Sequence, residues 1–203
     1  MYVSAIRFWL KKLLYHPGSW MKISGMFLLC SLPIVTAGWA WGIAVKLGKR
    51  EAEERKLLCF QTLRESFSKR DLVFLVMGAL DIVIFLLLFL SVTTLVWGRI
   101  SLAAKLLNAF FFWLNTITIC SGMYRYPLAV FNEKLSFAGL YLKGFLLVFS
   151  KPGYTFLFSM AFLSAFLISA FTGVGLLVFL PGASALLSAI IYKDRTGDLP
   201  SPE

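Results

Sequence analysis

Histidine, cysteine and acidic residues are scarce in this sequence. The 203 residues include one histidine, ten Asp or Glu residues and three cysteines, and Cys30, Cys59 and Cys120 stand far apart without C-x-x-C spacing. The sequence also lacks H-E-x-x-H, G-x-S-x-G and G-x-x-x-x-G-K-[ST], the motifs of zinc proteases, serine hydrolases and nucleotide-cleaving enzymes. These absences predict a protein that is not an enzyme and has no catalytic residue, metal site or cofactor.

Charged residues are also few, and they are unevenly placed. They make up 15% of the chain against 59% hydrophobic residues, and none occurs from Pro152 to Tyr192. Soluble domains carry about 25% charged residues. A net charge of +10 suits nucleic acid, but the basic residues lie between apolar runs rather than along one stripe. That placement is typical of membrane-protein loops, so the composition favours a lipid bilayer over nucleic acid as the partner.

One apolar stretch, Leu72–Trp97, sets the class of the protein, and Asp81 is its single charged residue. A helix of this length measures about 39 Å at about 1.5 Å per residue. The hydrocarbon core of a bilayer is about 30 Å thick. The stretch therefore predicts a transmembrane helix with some tilt.

A second apolar stretch, residues 23–45, contains a proline and two closely spaced glycines. Pro33 is expected to kink the helix, because it removes a backbone hydrogen bond. Gly38 and Gly42 have the small-x-x-x-small spacing that lets another helix approach closely. This part of the span is interpreted as a helix-packing seam, with a hinge or substrate-lining bend as the alternative.

The uncharged segment from 152 to 192 is about twice as long as one crossing requires, so it predicts two spans. The predicted fold is an all-α polytopic transmembrane bundle of about five spans, with amphipathic surface helices. The spans are 23–45, 72–97, 102–126, 153–171 and 176–192, and the last is interrupted by Pro181-Gly182. The predicted packing or hinge positions are Pro33, Gly38, Gly42, Pro127, Pro181 and Gly182.

Amphipathic segments accompany the predicted spans. In residues 1–20, apolar side chains recur every three or four positions opposite basic ones, which predicts a helix lying on the membrane surface. The connections 46–71 and 131–151 carry similar stripes. The predicted domains are this interfacial helix (1–20), one transmembrane domain (21–192) and a disordered cytoplasmic tail (193–203).

Basic residues are unequally divided between the two ends of the predicted spans. With five crossings, fourteen Lys and Arg lie on the side of the first loop, third loop and C-terminus, and six on the opposite side. Positive residues accumulate in cytoplasmic loops. The division predicts a cytoplasmic C-terminus and an N-terminus outside the cell.

Four polar residues within or beside the predicted spans form the candidate site: Asp81, Asn108, Asn115 and Arg125. A charge near the bilayer centre costs about 2.5–3.5 kcal/mol on insertion scales, so Asp81 is expected to face the protein interior with a partner. Arg125 can form an ion pair with it if spans two and three are neighbours, and Asn115 is the alternative hydrogen-bond partner. Such a contact acts either as structural glue or in a proton- or substrate-linked role.

The order of these signals resembles the YesL family of small bacterial integral membrane proteins of unknown function. The resemblance rests on Leu32-Pro33-Ile34-Val35-Thr36-Ala37-Gly38, on Tyr126-Pro127-Leu128 and on the proline in the last helix, and it covers roughly residues 20–192. Trp39 and Trp41 depart from it, because the family tends to have smaller residues there. The resemblance implies a bacterial cytoplasmic membrane, about five spans and association with carbohydrate uptake systems of the ABC type. It implies no catalytic residue.

Two functions fit these features. In the first, the chain is an accessory or regulatory subunit that packs beside the permease subunits of a carbohydrate ABC transporter. In the second, it is a small transporter or channel whose path is lined by Asp81 and the nearby polar residues. Five spans with few polar residues provide little lining for such a path unless the chain forms a homo-oligomer. The accessory function is therefore preferred.

Overall fold

The computed structural model describes residues 2–31, 36–53, 59–65, 71–97, 101–132, 135–150, 152–172 and 180–196. Within these ranges the regular structure is helical and contains no strand, which confirms the all-α prediction. The described helices are α1 (Tyr2–Tyr15), α2 (Pro17–Ser31), α3 (Ala37–Ala52), α4 (Cys59–Glu65), α5 (Leu72–Trp97), α6 (Leu102–Phe131), α7 (Phe137–Ser150), α8 (Pro152–Thr172) and α9 (Leu180–Thr196).

Two described helices, α5 and α6, are long and apolar enough to cross a membrane. Only 17% and 6% of their most apolar stretches are buried within the protein. The core helix of a soluble protein would be mostly buried, because its apolar surface must be removed from water. The two helices therefore present apolar surface outward, which suits contact with lipid. Within the described residues, length and composition support two spans, so the predicted five are not shown.

Helices α5 and α6 run antiparallel as a hairpin. Ser101 caps the start of α6, where its Oγ accepts a hydrogen bond from the Ala104 N–H at 3.4 Å. Further along, the Asn108 side chain donates to the Ser91 carbonyl at 2.9 Å, which joins the two helices near their connected ends. The part of the hairpin beyond the rest of the protein exposes large side chains such as Phe89 and Phe110.

The prediction of one kinked span over residues 23–45 is wrong, because the chain doubles back there. α2 ends at Ser31 and α3 begins at Ala37, and the rings of Phe27 and Trp41 lie 5.8 Å apart. In one continuous helix these residues would be separated by about 21 Å, at about 1.5 Å per residue. Pro33, the predicted kink, lies outside the described residues.

Doubling back returns the chain to the side from which α2 started. The Lys12 Nζ at the end of α1 lies 3.9 Å from Glu51 Oε1 at the end of α3, and both side chains are buried. The prediction that residues 1–20 and the first loop lie on opposite sides of a membrane is therefore wrong. It assumed a single crossing between them.

Polar contacts collect at the same end of the molecule, which we call the polar end. Lys46 of α3 forms an ion pair with Asp71, just before α5. Asn132, after α6, hydrogen-bonds the Tyr192 hydroxyl of α9. The polar end is defined by these contacts together with Lys12–Glu51 and with Tyr154–Asp194, in which the Tyr154 hydroxyl of α8 donates to the Asp194 carboxylate at 2.6 Å.

Helix α9 forms the centre of the core and is buried from Pro181 to Asp194. Pro181 is its second residue and does not interrupt it, which corrects the predicted break; the first turn is where a helix tolerates proline, since that N–H has no helical partner. Gly182 contacts the Trp20 carbonyl, and its N–H donates to Ser24 Oγ at 2.8 Å. α9 also continues to Thr196, into the segment predicted as a tail, and 197–203 lie outside the described residues.

Candidate functional site

Asp81 of α5 and Arg125 of α6 form an ion pair inside the helical part of the protein. The Arg125 Nη2 donates to Asp81 Oδ1 at 2.7 Å. The arginine side chain is fully buried, whereas the aspartate side chain is 28% exposed. The two residues lie on neighbouring antiparallel helices, so each can reach the other only because the hairpin forms. The contact places the negative group of one helix against the positive group of the other.

Arg125 extends back along α6 toward the helix N-terminus, the direction in which helical side chains point. There its Nη2 also donates to the Thr118 carbonyl at 3.0 Å. Gly144 of α7 makes room for the stem, because a Cβ at that position would lie 2.5 Å from Arg125 Cγ. Among the described residues, the buried Nε and Nη1 have no hydrogen-bond partner.

Tyr141 of α7 covers one face of the guanidinium. Its ring centroid lies 4.3 Å from Arg125 Cζ, within the range of a cation–π interaction. Burial raises the pKa of the Tyr141 phenol above its ordinary value, although the positive charge of Arg125 opposes this. The phenol therefore stays neutral at physiological pH and contributes its ring face rather than a negative charge.

Tyr126 completes the site and was not predicted as a site residue from the sequence. Its hydroxyl donates to Asp81 Oδ2 at 3.0 Å, so each carboxylate oxygen accepts one hydrogen bond. Phe74 stacks on the Tyr126 ring with a centroid distance of 6.1 Å. A signal was present in the sequence, because the tyrosine follows Arg125 directly and its hydroxyl is a suitable donor to an intramembrane carboxylate.

The two predicted asparagines do not join this site. Asn108 bonds Ser91 and Thr94, nearer the connected ends of the α5–α6 hairpin. Asn115 is partly exposed, and none of the described hydrogen bonds involves it. The structure therefore brings together Asp81 and Arg125 of the four predicted residues and leaves the asparagines separate from them.

A cavity of about 700 Å³ reaches Asp81. It lies between the α2–α3 pair, α5, α6, α8 and α9, and Asp81 is the one charged residue among the described side chains that line it. Most of the lining is apolar, and Ser159 and Ser188 add hydroxyl groups. Phe85 and Leu86 form part of the wall and are 60% and 54% exposed, so the cavity opens beside the apolar outer surface of α5.

Glycines bring α3 and α5 into backbone contact next to this cavity. Gly38 and Gly78 touch, and a Cβ on either residue would overlap the Cα of the other. One turn further, a Cβ on Gly42 would lie 2.6 Å from the Phe74 ring. Gly38 and Gly42 are thus placed at a helix-packing seam. Pro127, a predicted hinge position, lies inside α6 near its end and is buried.

The described side chains of the site offer charge pairing and hydrogen bonding. The described residues contain no group of three or more His, Cys, Asp or Glu side chains that could hold a metal ion. Comparison of the chain with protein-family models, curated proteins and solved structures finds no match.

Proposed function

We propose that this chain is a non-enzymatic integral protein of the bacterial cytoplasmic membrane, acting as an accessory or regulatory component of a carbohydrate ABC-type uptake system. The observation that carries this proposal is the closed contact between Asp81 and Arg125. Asp81, Arg125 and the Tyr126 hydroxyl bind one another, which favours a role in joining α5 to α6 over one in guiding a sugar. The exposed apolar surface of α5 and α6 is then available for lipid and for permease subunits.

The association with an ABC uptake system comes from the family resemblance. The proposed location in a bacterial membrane also comes from this resemblance. The resemblance to the YesL family, carried by Tyr126-Pro127-Leu128 and the other quoted motifs, remains a proposal. The surface that meets a permease is expected on the α5–α6 hairpin, because many of its large apolar side chains, such as Phe89 and Phe110, are exposed.

The α5–α6 hairpin is proposed to cross the membrane, with α2 and α3 doubling back on one side of it. The Tyr154–Asp194 contact places the end of α9 at the polar end, on the same side as α1 and the end of α3. Both termini and the first loop then face the cytoplasm, and only Arg99 and Lys105 of the 20 Lys and Arg residues lie outside, apart from Arg125 within the bundle.

This arrangement predicts which positions a membrane-impermeant maleimide reaches from outside intact cells. In a chain whose native cysteines are replaced, Ser101→Cys at the start of α6 is expected to react. Tyr15→Cys and Ser136→Cys are expected to react only after the cells are permeabilised. All three positions are exposed in the structure, so labelling reports their side of the membrane rather than burial. Labelling of Tyr15→Cys from outside would overturn the cytoplasmic N-terminus.

A second function, a small transporter or channel, is favoured by one observation. The cavity reaches Asp81, and the carboxylate is partly exposed to it. If a transported solute contacts the Asp81 carboxylate, the Asp81→Asn variant changes transport directly. The chain would then work alone or as a homo-oligomer rather than beside a permease.

Affinity purification in a mild detergent separates the two functions. The accessory function predicts that permease subunits of a carbohydrate ABC transporter co-purify in stoichiometric amounts with the native chain. The Asp81→Asn variant is then expected to leave uptake by the purified chain in liposomes at background, as for the native chain. A pure homo-oligomer whose liposome uptake is lost on Asp81→Asn would refute the accessory function and support the transporter.

A further inference from the structure

We propose that the cavity at Asp81 binds an uncharged lipid that carries a free hydroxyl group. The inference rests on the membrane location proposed above, but it does not depend on the accessory role. The Asp81–Arg125 ion pair does not by itself require a cavity, and the proposal assigns that cavity a ligand. The ligand class follows from the size, opening, lining and charge of the cavity.

The size and lining fit an apolar molecule. Small-molecule pockets in proteins typically measure about 300–1,000 Å³ and combine apolar walls with a few polar groups that fix orientation. At about 30 Å³ for each non-hydrogen atom, the share that water takes in the liquid, the 700 Å³ cavity holds a molecule of roughly twenty such atoms. Phe27, Trp41 and Met123 supply aromatic and apolar contacts along the wall.

The position of the opening indicates that the ligand enters from the bilayer rather than from water. Phe85, Leu86 and Ile119 line the cavity and are also exposed on the outer surfaces of α5 and α6. In a membrane these surfaces meet hydrocarbon rather than water. A molecule already dissolved in the bilayer can therefore enter sideways, between helices, without first leaving the lipid.

The polar groups determine the headgroup. A carboxylate has about four acceptor positions on its two oxygens, and Arg125 and Tyr126 use two of them. The remaining positions of the partly exposed Asp81 side chain can accept a hydrogen bond from a ligand. The Ser188 and Ser159 hydroxyls, which also line the cavity, can donate or accept. A hydroxyl group suits this set, because it both donates and accepts.

Charge excludes the other common headgroups. Arg125 already neutralises Asp81, so a bound amine would add an unpaired positive charge to a mostly apolar cavity, which is unfavourable. A fatty acid would place a second carboxylate beside Asp81, and like charges at this distance repel. A hydrocarbon without a headgroup would leave the free acceptor positions unused. Of these four, the neutral alcohol is the one that donates to Asp81 without adding a charge.

Cys120 provides a direct test, because it lines the cavity and is partly buried. The full chain with Cys30→Ala and Cys59→Ala is delipidated in detergent, leaving Cys120 as the single thiol. Its alkylation by an apolar maleimide is then timed with hexadecanol, hexadecane, hexadecylamine or palmitate present. Hexadecanol is expected to protect Cys120 at concentrations about tenfold lower than hexadecane, the gain expected from one hydrogen bond to a charged acceptor.

Two matched controls accompany the measurement. A chain carrying Ala79→Cys as its single thiol, on the exposed face of α5 and not in the cavity lining, is expected to react at the same rate with and without hexadecanol. Ala37→Phe places a ring in the cavity and is expected to abolish protection of Cys120, whereas Ala79→Phe leaves it unchanged.

Equal protection by hexadecanol and hexadecane, or stronger protection by the amine or the acid, would overturn the headgroup assignment. Absence of protection by all four would overturn the binding site. If Ala37→Phe fails to fold, the comparison of the four probes on Cys120 still decides the proposal. Neither result affects co-purification with a permease, so failure of the ligand site is distinguishable from failure of the accessory function.

Discussion

Asp81→Leu is expected to lower the free energy of unfolding by about 3–5 kcal/mol, because it leaves the fully buried Arg125 without its counter-ion. The Tyr126 hydroxyl loses its acceptor in the same variant. The guanidinium cannot turn to water easily, since Tyr141 covers one face and Gly144 packs against its stem. The loss is measured by thermal and denaturant unfolding in detergent.

A double variant separates two costs: that of leaving Arg125 without a counter-ion, and that of changing the shape of the side chain at position 81. Asp81→Leu combined with Arg125→Leu removes both charges and is expected to recover most of the lost stability, since replacing a whole buried pair by apolar residues is often nearly neutral. Asn115→Leu is the matched control on the same hairpin, and it is expected to change stability little because no described hydrogen bond involves Asn115. An unchanged unfolding midpoint for Asp81→Leu would rule out the buried pair as a source of stability.

Gly38→Ala is expected to destabilise the fold by about 1–3 kcal/mol, the usual cost of overpacking. The added methyl group would overlap the backbone of Gly78, and neither helix can move without disturbing the contact of Gly42 with Phe74 one turn away. The overlap involves backbone atoms, so a change of side-chain rotamer cannot relieve it. Denaturant unfolding of the purified variant in detergent measures the effect.

Gly25→Ala is the matched control, because nothing lies within 4 Å of a Cβ built at that position in the middle of α2. Alanine in a helix is favoured over glycine by roughly 0.5–1 kcal/mol, so this variant is expected to be equal to or more stable than the native chain. The same substitution thus has opposite signs at the two glycines. Equal effects at both would contradict a tight crossing of α3 and α5.

The long apolar helices were predictable because their signal is local. Leu72–Trp97 forms α5 with the predicted bounds, and the predicted third span lies within α6, which extends to Phe131. A helix surrounded by lipid must satisfy its backbone hydrogen bonds internally, so a long uncharged run leaves few alternatives. The outward apolar surface then follows from composition alone.

The α2–α3 pair was not predictable in the same way. Hydropathy adds up along the chain, so two half-length helices that pack on each other give the same total as one continuous span. What distinguishes them is contact between distant residues, such as Phe27 with Trp41 and Ser24 with Gly182. The predicted side of the N-terminus rested on one crossing over residues 23–45, whereas the Lys12–Glu51 contact places α1 and the end of α3 at the same end of the molecule.

The candidate site was partly predictable, because an intramembrane charge requires a partner. Arg125 was named as a possible counter-ion of Asp81, and the structure places it there. The contributions of Tyr126 and Tyr141 depend on how α6 and α7 are rotated, which the pattern of apolar residues does not determine. The cavity depends on five packed elements and has no sequence signal of its own.

The burial of α9 has a consequence for biosynthesis. Trp9 near the start of the chain donates a hydrogen bond to the Ala183 carbonyl at 2.9 Å, across 174 positions of sequence. Helices α1 to α3 therefore emerge from the ribosome long before the segment that fills their interior. Contacts between such distant positions slow folding. Until α9 is synthesised, the surfaces of α1 to α3 that it covers stay exposed. Chaperones and membrane proteases are then expected to have their best access to the nascent chain.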